Sequence, residues 1–233
     1  MIKQGITVLV SGGSGGIGRS LVSMLRRKGH RVAVADRVVP EEADCFVACD
    51  LSDLEAANSI VGEAWRALGS IDALVLCAAQ YNASTLDQCT LESFKAAIRV
   101  NLESPMALVK AWLALEPNPD NGTIVVVGSA AGHVGSRDPA YSASKAGLLG
   151  LARSLALNLT DRGLSVFSVS PGVVDTAMSR AQGEQRRSAQ VARTMLKRAA
   201  KPEEIADVIV WLLESRPHYM SGADVNISNG IAW

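Results

Sequence analysis

The sequence predicts an α/β fold in which a doubly wound parallel sheet of about seven strands carries helices on both faces. Short β-branched apolar runs alternate with amphipathic helical patterns to the end of the chain, and the apolar runs are continuous. Continuous apolar strands are typical of parallel sheets that are buried on both sides. Because no Pro/Ser-rich or low-complexity linker divides the chain, we expect a single domain over residues 1–233.

The pattern assigns the elements in order along the chain. A first unit consists of a strand at 6–10, a helix at 17–28 closed by Gly29, and a strand at 31–35. Further strands are predicted at 45–48, 71–76, 122–127, 164–169 and 223–228, and further helices at 53–68, 91–115 (bent near Pro105), 141–160 and 202–213. Ligands bind beyond the carboxyl ends of the strands in such sheets, so candidate residues are sought there.

A glycine-rich turn, Ser11-Gly-Gly-Ser-Gly-Gly-Ile-Gly18, separates the first strand from the first helix. Backbone N–H groups and the helix dipole favour an anion at such a helix N-terminus, and glycine lets a pyrophosphate approach the chain closely. A flexible Gly/Ser loop is the weaker interpretation, because a strand and a helix flank the turn. The turn therefore predicts a Rossmann-type dinucleotide site with contacts from Gly12, Ser14, Gly16, Ile17 and Gly18.

The second predicted strand leads into Asp36, eighteen residues after Gly18. An acidic side chain at about this distance hydrogen-bonds the adenosine ribose hydroxyls in dinucleotide folds, and its charge would repel a 2′-phosphate. The neighbouring Arg37 offers a guanidinium that could instead accept that phosphate. Asp36 favours NAD as the cofactor, and Arg37 keeps NADP as the alternative.

Tyr141 and Lys145 lie four residues apart in the run PAYSASKAG at 139–147, so both project from one face of a predicted helix. A phenol has an ordinary pKa near 10, and a neighbouring ammonium lowers it by stabilising the phenolate. Lowering it by roughly three units takes about 4 kcal/mol, which Lys145 and a cationic cofactor ring could supply together. A solvated helix face often carries such a pair, but together with the glycine turn it predicts Tyr141 as a general acid/base.

Composition narrows the function classes. The 233 residues are 48% hydrophobic and have a formal net charge of zero, which gives no reason to expect nucleic acid or a membrane surface as a partner. The sequence shows no membrane-spanning run and no ordinary signal peptide. Its cysteines, Cys45, Cys49, Cys77 and Cys89, show neither metal-ligand spacing nor a disulfide framework. We therefore expect a cytoplasmic protein with free thiols and no metal site.

Further residues complete a resemblance that covers nearly the whole chain. The glycine turn is similar to Thr-Gly-x-x-x-Gly-x-Gly with serine first, and Asp50, Asn101, Ser129, the Tyr141–Lys145 pair and the Pro171-Gly172…Thr176 stretch follow in order. In these positions the chain resembles the short-chain dehydrogenase/reductase family in its compact form. The resemblance implies that Asn101, Ser129, Tyr141 and Lys145 are catalytic. It also implies a cofactor site formed by Gly12, Ser14, Gly16, Ile17, Gly18, Asp36, Arg37, Asp50, Leu51, Ala78, Ala79, Tyr141, Lys145, Pro171, Gly172, Val174 and Thr176.

Two positions depart from the family pattern. The family's Asn-Asn-Ala-Gly after the fourth strand is here Cys77-Ala-Ala-Gln80, which places the polar Gln80 side chain near the cleft, where it could touch substrate. Ser129 lies twelve residues before Tyr141, one fewer than usual, which a shorter loop at 132–139 would explain. Ser136 is the rival for the serine role, but it lies too far from the strand end, and we prefer Ser129.

The resemblance implies a mechanism in which Tyr141 takes the hydroxyl proton in oxidation and donates it in reduction. Ser129 would bond the substrate oxygen, and Asn101 would hold a water that relays protons. Lys145 would bond the nicotinamide ribose and lower the Tyr141 pKa. The expected function is hydride transfer between NAD(H) and a secondary alcohol or ketone. The alternatives are an NADPH-dependent reductase of carrier-bound 3-oxoacyl thioesters and a non-catalytic, cofactor-binding regulator.

Substrate identity is expected to depend on residues 177–200, which would fold over the cleft as a lid. This segment carries six basic residues, which could attract an anionic substrate; a solvated helix face with i,i+4 partners is the favoured interpretation. The resemblance further implies a homotetramer, with the apolar Ile231 and Trp233 at a subunit contact or packed on the chain's own core. The expected substrate contacts are Gln80, Ser129, Tyr141 and Met178.

Overall fold

A computed structural model describes residues 5–116 and 121–231 of the chain. Its centre is a seven-stranded sheet of parallel strands in the order β3-β2-β1-β4-β5-β6-β7. The chain order reverses between β1 and β4, so the carboxyl ends of these strands open a crevice at the switch point. The strands are β1 (Thr7–Ser11), β2 (Arg31–Asp36), β3 (Cys45–Ala48), β4 (Ala73–Leu76), β5 (Thr123–Val127), β6 (Ser165–Pro171) and β7 (Asp224–Ile227).

Helices cover both faces of this sheet, which confirms the predicted doubly wound α/β class. Within the described ranges, no helix is both long enough and apolar enough to cross a lipid bilayer. The α-helices are α1 (Gly16–Arg27), α2 (Ala57–Leu68), α3 (Leu91–Ile98), α4 (Ser104–Leu113), α5 (Ala131–Val134), α6 (Pro139–Leu159), α7 (Ala177–Arg180), α8 (Glu184–Arg193) and α9 (Pro202–Ser215).

Alternate residues of each strand pack against opposite helical layers, because successive side chains in a strand point to opposite faces. In β1, Leu9 belongs to the core that contains residues of α2, α4 and α6. Its neighbours Val8 and Val10 belong to the core that contains residues of α1 and α9. This burial on both faces explains why the strands appear in the sequence as continuous apolar runs.

α2 begins at Ala57 instead of at residue 53, where the sequence pattern placed it. The side chains of Asp50 and Asp53 each accept a hydrogen bond from the backbone N–H two residues further on. Such local side chain–backbone bonds favour turns over helix. The connection from β3 to α2 is therefore longer than the apolar periodicity indicates.

The helix predicted at 91–115 is divided into α3 and α4 by a π-helical turn at Arg99–Glu103. The irregularity is centred on Asn101 and not on Pro105, which lies in the first turn of α4. Proline is tolerated in a first turn, because its missing N–H is not needed there. π-turns inside helices occur frequently at functional sites, and this one places Asn101 behind the crevice.

Candidate active site

A cleft of about 1490 Å³ opens beyond the carboxyl ends of β1, β4, β5 and β6. Asn101 is the one predicted site residue that does not line it, since this side chain is fully buried behind the cleft wall. The predicted site residues that line the cleft are Gly12, Ser14, Gly16, Ile17, Gly18, Asp36, Arg37, Asp50, Leu51, Ala78, Ala79, Gln80, Ser129, Tyr141, Lys145, Pro171, Gly172, Val174, Thr176 and Met178.

Three glycines of the turn, Gly12, Gly16 and Gly18, have no room for a β-carbon. Gly12 has φ +74°, and a Cβ built on it would lie 2.6 Å from the backbone nitrogen of Ala78. A Cβ on Gly18 would overlap the carbonyl oxygen of Gly12, and one on Gly16 would overlap the Thr176 side chain. Gly12, Gly16 and Gly18 are therefore needed for the close packing of this turn at the N-terminus of α1, where backbone N–H groups can meet a pyrophosphate.

Asp36 holds the glycine turn against the end of β2. Its carboxylate accepts hydrogen bonds from the backbone N–H groups of Ser14 at 3.0 Å, Arg37 at 2.7 Å and Val38 at 3.2 Å. The half-buried carboxylate is therefore fixed within the cleft, whereas the Arg37 side chain is exposed. A negative charge fixed at this place fits the ribose end of a dinucleotide.

The exposed side chain of Asp50 lines the same cleft as the Asp36 carboxylate. The backbone N–H and the hydroxyl of Ser52 hold the pKa of Asp50 below its ordinary value, and the charge of Arg37 adds a smaller lowering. Asp50 is thus an ionised hydrogen-bond acceptor in the cleft, at a position where the resemblance implies a cofactor contact.

Tyr141 lies in the first turn of α6, where the Asp138 side chain caps the helix by accepting the Tyr141 N–H at 3.0 Å. Burial raises the pKa of the Tyr141 phenol to about 12, and a hydrogen bond with the Ser129 side chain opposes that rise. The Ser136 hydroxyl instead donates to the Asp138 carbonyl at 2.9 Å. The structure therefore brings Ser129, and not Ser136, to Tyr141.

Lys145 is 2% exposed and lies with its Nζ atom 5.7 Å from the centre of the Tyr141 ring. The ammonium donates a hydrogen bond of 2.6 Å to the carbonyl oxygen of Val127 at the end of β5. Burial lowers the pKa of Lys145 to about 8, against a smaller rise from Cys77. In the chain without cofactor, burial raises the Tyr141 pKa more than its neighbours lower it, so the lowering expected from Lys145 together with a cationic cofactor ring stays a prediction.

The Asn101 amide ties the loop after β4 to α6. Its Oδ1 accepts the Gln80 N–H at 2.6 Å, and its Nδ2 donates to the Gln80 carbonyl and to the Ser144 hydroxyl, both at 2.9 Å. Ser144 in turn donates to the Tyr141 carbonyl at 2.8 Å. Both amide hydrogens are therefore used by the chain, which makes Asn101 a positioning residue in this arrangement; the predicted water relay stays a prediction.

Tyr81, Cys77 and Ser144 are among the residues of the site that could not be assigned to it from the sequence pattern. The Tyr81 ring lies edge-on to Tyr141, with 4.9 Å between ring centres. The Cys77 thiol accepts the Gly18 N–H, and burial raises its pKa to about 11. Ser144 lies one turn from Tyr141 on the same helix, so helical spacing was the one signal that could have found it.

The described part of the chain contains no group of three His, Cys, Asp or Glu side chains that could hold a metal ion. The polar groups at the deep end of the cleft are instead a phenol, a hydroxyl and a buried ammonium. Such a set can transfer a proton to or from an oxygen atom and can hydrogen-bond that oxygen.

A family model described as enoyl-(acyl carrier protein) reductase matches residues 12–232. Among curated proteins, the 3-oxoacyl-[acyl-carrier-protein] reductase MabA of Mycobacterium tuberculosis (strain ATCC 25618 / H37Rv) is 31% identical over 97% of this chain and 92% of its own length. The 3-oxoacyl-[acyl-carrier-protein] reductase FabG of Escherichia coli (strain K12) is 29% identical over 98% of each chain.

Solved structures match over the same extent. A blue fluorescent protein from a metagenomic library, in complex with NADPH, has a TM-score of 0.89 and 29% identity, and the match covers 100% of both chains. A short-chain dehydrogenase of Burkholderia cenocepacia J2315, in complex with NADP, has a TM-score of 0.87 and 28% identity over 99% of both chains.

Proposed function

This chain belongs to the short-chain dehydrogenase/reductase family of oxidoreductases, and on that premise we propose that it transfers a hydride between NAD(H) and a secondary alcohol or ketone. The observation that carries this proposal is the meeting of Ser129, Tyr141 and Lys145 at the deep end of the cleft, on the side opposite Asp36. The residues present fit a dinucleotide that extends from Asp36 past the glycine turn to Tyr141.

The nicotinamide would supply the hydride chemistry, and the chain supplies orientation and a proton. In the reduction direction Tyr141 is the proton donor, and a pKa of about 12 keeps the phenol protonated at neutral pH. The Ser129 hydroxyl, which already bonds Tyr141, holds the substrate oxygen and stabilises the charge that develops on it. The buried Lys145 ammonium supplies positive charge 5.7 Å from the phenol ring, where it stabilises the phenolate left after the proton departs.

Oxidation needs Tyr141 as a phenolate, and the raised pKa of this phenol makes oxidation more demanding than reduction. Bringing the Tyr141 pKa from about 12 to about 7 takes roughly 7 kcal/mol, at 1.36 kcal/mol per unit. Lys145 and the positive ring of an oxidised cofactor have to supply this together. We therefore propose that the chain alone is set up as a reductase near neutral pH.

We propose NAD in preference to NADP, because the Asp36 carboxylate is fixed by three backbone donors and cannot move away from a 2′-phosphate. The NADPH and NADP complexes of two solved relatives, together with Arg37 beside the same site, support the opposite choice. Titration of the purified protein with NADH and with NADPH, followed by cofactor fluorescence, separates the two. We expect tighter NADH binding in the wild type and a loss of that preference in Asp36→Ala.

A matched variant, Arg37→Ala, tests the competing residue. If NADPH binds more tightly to the wild type and Arg37→Ala abolishes this, Arg37 determines the cofactor and the NAD proposal is contradicted. Failure of both dinucleotides to bind would contradict the whole proposed function.

A second candidate function is the reduction of 3-oxoacyl thioesters. The curated relatives, which are 3-oxoacyl-[acyl-carrier-protein] reductases at 28–31% identity, support it. Initial rates with a simple 3-oxo ester and with a 3-oxoacyl thioester of the same chain length discriminate the two functions. A strong preference for the thioester would favour the second candidate.

We also propose a homotetramer in the cytoplasm. All four cysteines are free in the structure, which supports a reducing compartment. Ile231 is half-buried and lines the cleft, so its own chain covers it in part; Trp233 lies outside the described residues. Leu157 on α6 is 83% exposed and Trp211 on α9 is 45% exposed, which suits subunit contacts. A monomeric mass by light scattering would contradict the tetramer.

A further inference from the structure

The six basic residues at 177–200 divide into two groups. In the first group the charge is neutralised or held by the chain's own oxygens. Arg180 and Arg187 pair with the Asp175 carboxylate at 2.6 and 2.9 Å, and Arg198 pairs with Glu204 at 2.6 Å. The Lys197 ammonium donates to the carbonyl of Ala192 at 2.7 Å. None of these four residues lines the cleft. The second group consists of Arg186 and Arg193, and both of these line the cleft.

Arg186 is fixed in the substrate end of the cleft without a carboxylate partner. It is half-buried, and its Nη1 donates a hydrogen bond of 3.1 Å to the carbonyl oxygen of Ala83 in the loop after β4. Within the described ranges no acidic side chain lies within ion-pair distance of it. A guanidinium has five donors in a rigid fork, so most of its hydrogen-bonding capacity remains for a ligand.

Two interactions connect Arg186 with Tyr141, and both involve Tyr81. The charge of Arg186 acts on the Tyr81 phenol, lowering its pKa against the larger rise caused by burial. The Tyr81 ring is in edge-to-face contact with Tyr141, 4.9 Å between centres. Arg186 and Tyr141 thus both interact with Tyr81 and line the same cleft, which places Arg186 where it can bind a part of the substrate other than the reacting oxygen.

The remaining charges of the cleft are distributed asymmetrically. Arg193 from α8 and Arg137 from the loop before α6 line the same end as Arg186, and both are exposed. The acidic residues of the lining, Asp36 and Asp50, lie at the adenosine end. Asp138 is buried as the cap of α6 and does not line the cleft. The substrate end thus presents positive charge beside neutral glutamines.

We propose, on the basis of the proposed function, that the substrate carries an anionic group apart from its reacting carbonyl, and that Arg186 binds this group. Carboxylate and phosphate share the chemistry that a guanidinium fork recognises. A carboxylate would belong to a small oxo acid, and a phosphate would belong to the pantetheine arm of a carrier-bound thioester. Arg193 and Arg137 add long-range attraction at the mouth, which salt screens.

Two matched substrate pairs test the proposal with the NADH-loaded protein. The first pair is 3-oxobutanoate and its neutral ethyl ester. The second is the 4′-phosphopantetheine thioester of 3-oxobutanoate and its pantetheine thioester, which lacks the phosphate. For at least one pair we expect the anionic member to have the higher kcat/KM by about tenfold or more, because a hydrogen bond to a charged partner is lost in the neutral member. The pair that shows the difference indicates whether the anionic group that Arg186 binds is a carboxylate or a phosphate.

Variants then assign the preference to Arg186. Arg186→Gln should reduce the anionic/neutral ratio of kcat/KM by about tenfold or more, chiefly through the KM of the anionic substrate, and Arg186→Lys should retain part of it. Arg180→Gln removes the same charge from the same segment outside the cleft and should leave the ratio unchanged. Equal kcat/KM within both pairs in the wild type, or a ratio that survives Arg186→Gln, overturns the proposal.

A measurement that needs no turnover separates this proposal from the proposed function. Calorimetric titration of 3-oxobutanoate and of coenzyme A into the NADH-loaded wild type and Arg186→Gln reports the anion site directly. Turnover of the neutral esters without any anion preference or anion binding contradicts the anion site and leaves the oxidoreductase function intact. Anion binding that depends on Arg186, without turnover of any of the four substrates, supports the site and contradicts the function.

Discussion

The Tyr141 pKa of about 12 leads to a prediction about cofactor binding that can be made without knowing the substrate. For Tyr141 to act as a base near pH 7, its pKa must fall by roughly five units, or about 7 kcal/mol. Coupling between two binding events is reciprocal. If the positive ring of NAD⁺ supplies part of that lowering, NAD⁺ must bind the phenolate form more tightly by the same factor.

We therefore expect the Kd of NAD⁺ to fall as pH rises, by up to about tenfold per pH unit above the pKa of the complex. The Kd of NADH, whose ring carries no positive charge, should not show this trend. Lys145 loses its charge near pH 8, and this loss should also favour the positively charged NAD⁺ over NADH, so the part of the trend that belongs to the phenol is the part that Tyr141→Phe removes.

The assay is a pair of fluorescence or calorimetric titrations at intervals from about pH 6 to about pH 10, below the Tyr141 pKa of the free protein. Tyr141→Phe keeps the ring and its contact with Tyr81 but has no proton to lose, and it should reduce the change of the ratio with pH to the part that Lys145 causes. A wild-type ratio that does not change with pH, or a trend that Tyr141→Phe leaves undiminished, would refute the coupling between the cofactor charge and Tyr141.

Three further variants test the site's construction. Asn101→Asp should lower the free energy of unfolding by about 2–4 kcal/mol in denaturant titrations, because a carboxylate oxygen would face the Gln80 carbonyl in place of an N–H; an unchanged midpoint would contradict this. Lys145→Met should abolish turnover yet stabilise the fold by up to about 3 kcal/mol below pH 8, because the folded pKa of about 8 lies below the unfolded 10.5. That gain should vanish as pH rises to about 10.5, and a pH-independent difference in stability would disprove it. Gly18→Ala should weaken NADH binding at least about tenfold, because a Cβ there overlaps the Gly12 carbonyl oxygen and distorts the turn. Gly62→Ala on α2, where a Cβ meets nothing within 4 Å, should leave NADH binding unchanged. Equal effects of the two substitutions would contradict the role of the close-packed turn.

The parts of the fold that could be predicted from the sequence are those with a local cause. β1 and β5 are buried at every position, so each is a continuous apolar run. The glycine turn is recognisable because Gly12 needs a positive φ and Gly18 meets the turn's own carbonyl. Tyr141 and Lys145 lie one helical turn apart, a spacing that needs no tertiary information.

The parts that escaped prediction depend on contacts between distant segments. The π-turn around Asn101 has no single-residue signal, and its amide bonds to Gln80, twenty-one residues away. The Lys145 ammonium meets the Val127 carbonyl only because α6 packs beside β5. The rise of the Tyr141 pKa in the cofactor-free chain escaped prediction for the same reason, since spacing reveals a neighbouring charge but not the burial that outweighs it.

The most direct test of the proposed chemistry follows the hydride itself. NADH deuterated at the transferable position of the nicotinamide is mixed with excess protein and a ketone panel that includes the ester and thioesters above, and the products are analysed by mass spectrometry. We expect deuterium on the new carbinol carbon with the wild type, and a rate lower by at least about 100-fold in Tyr141→Phe at unchanged NADH affinity. Tight NADH binding by the wild type without deuterium transfer to any carbonyl would identify a cofactor-binding regulator, and transfer at the wild-type rate by Tyr141→Phe would remove Tyr141 as the acid.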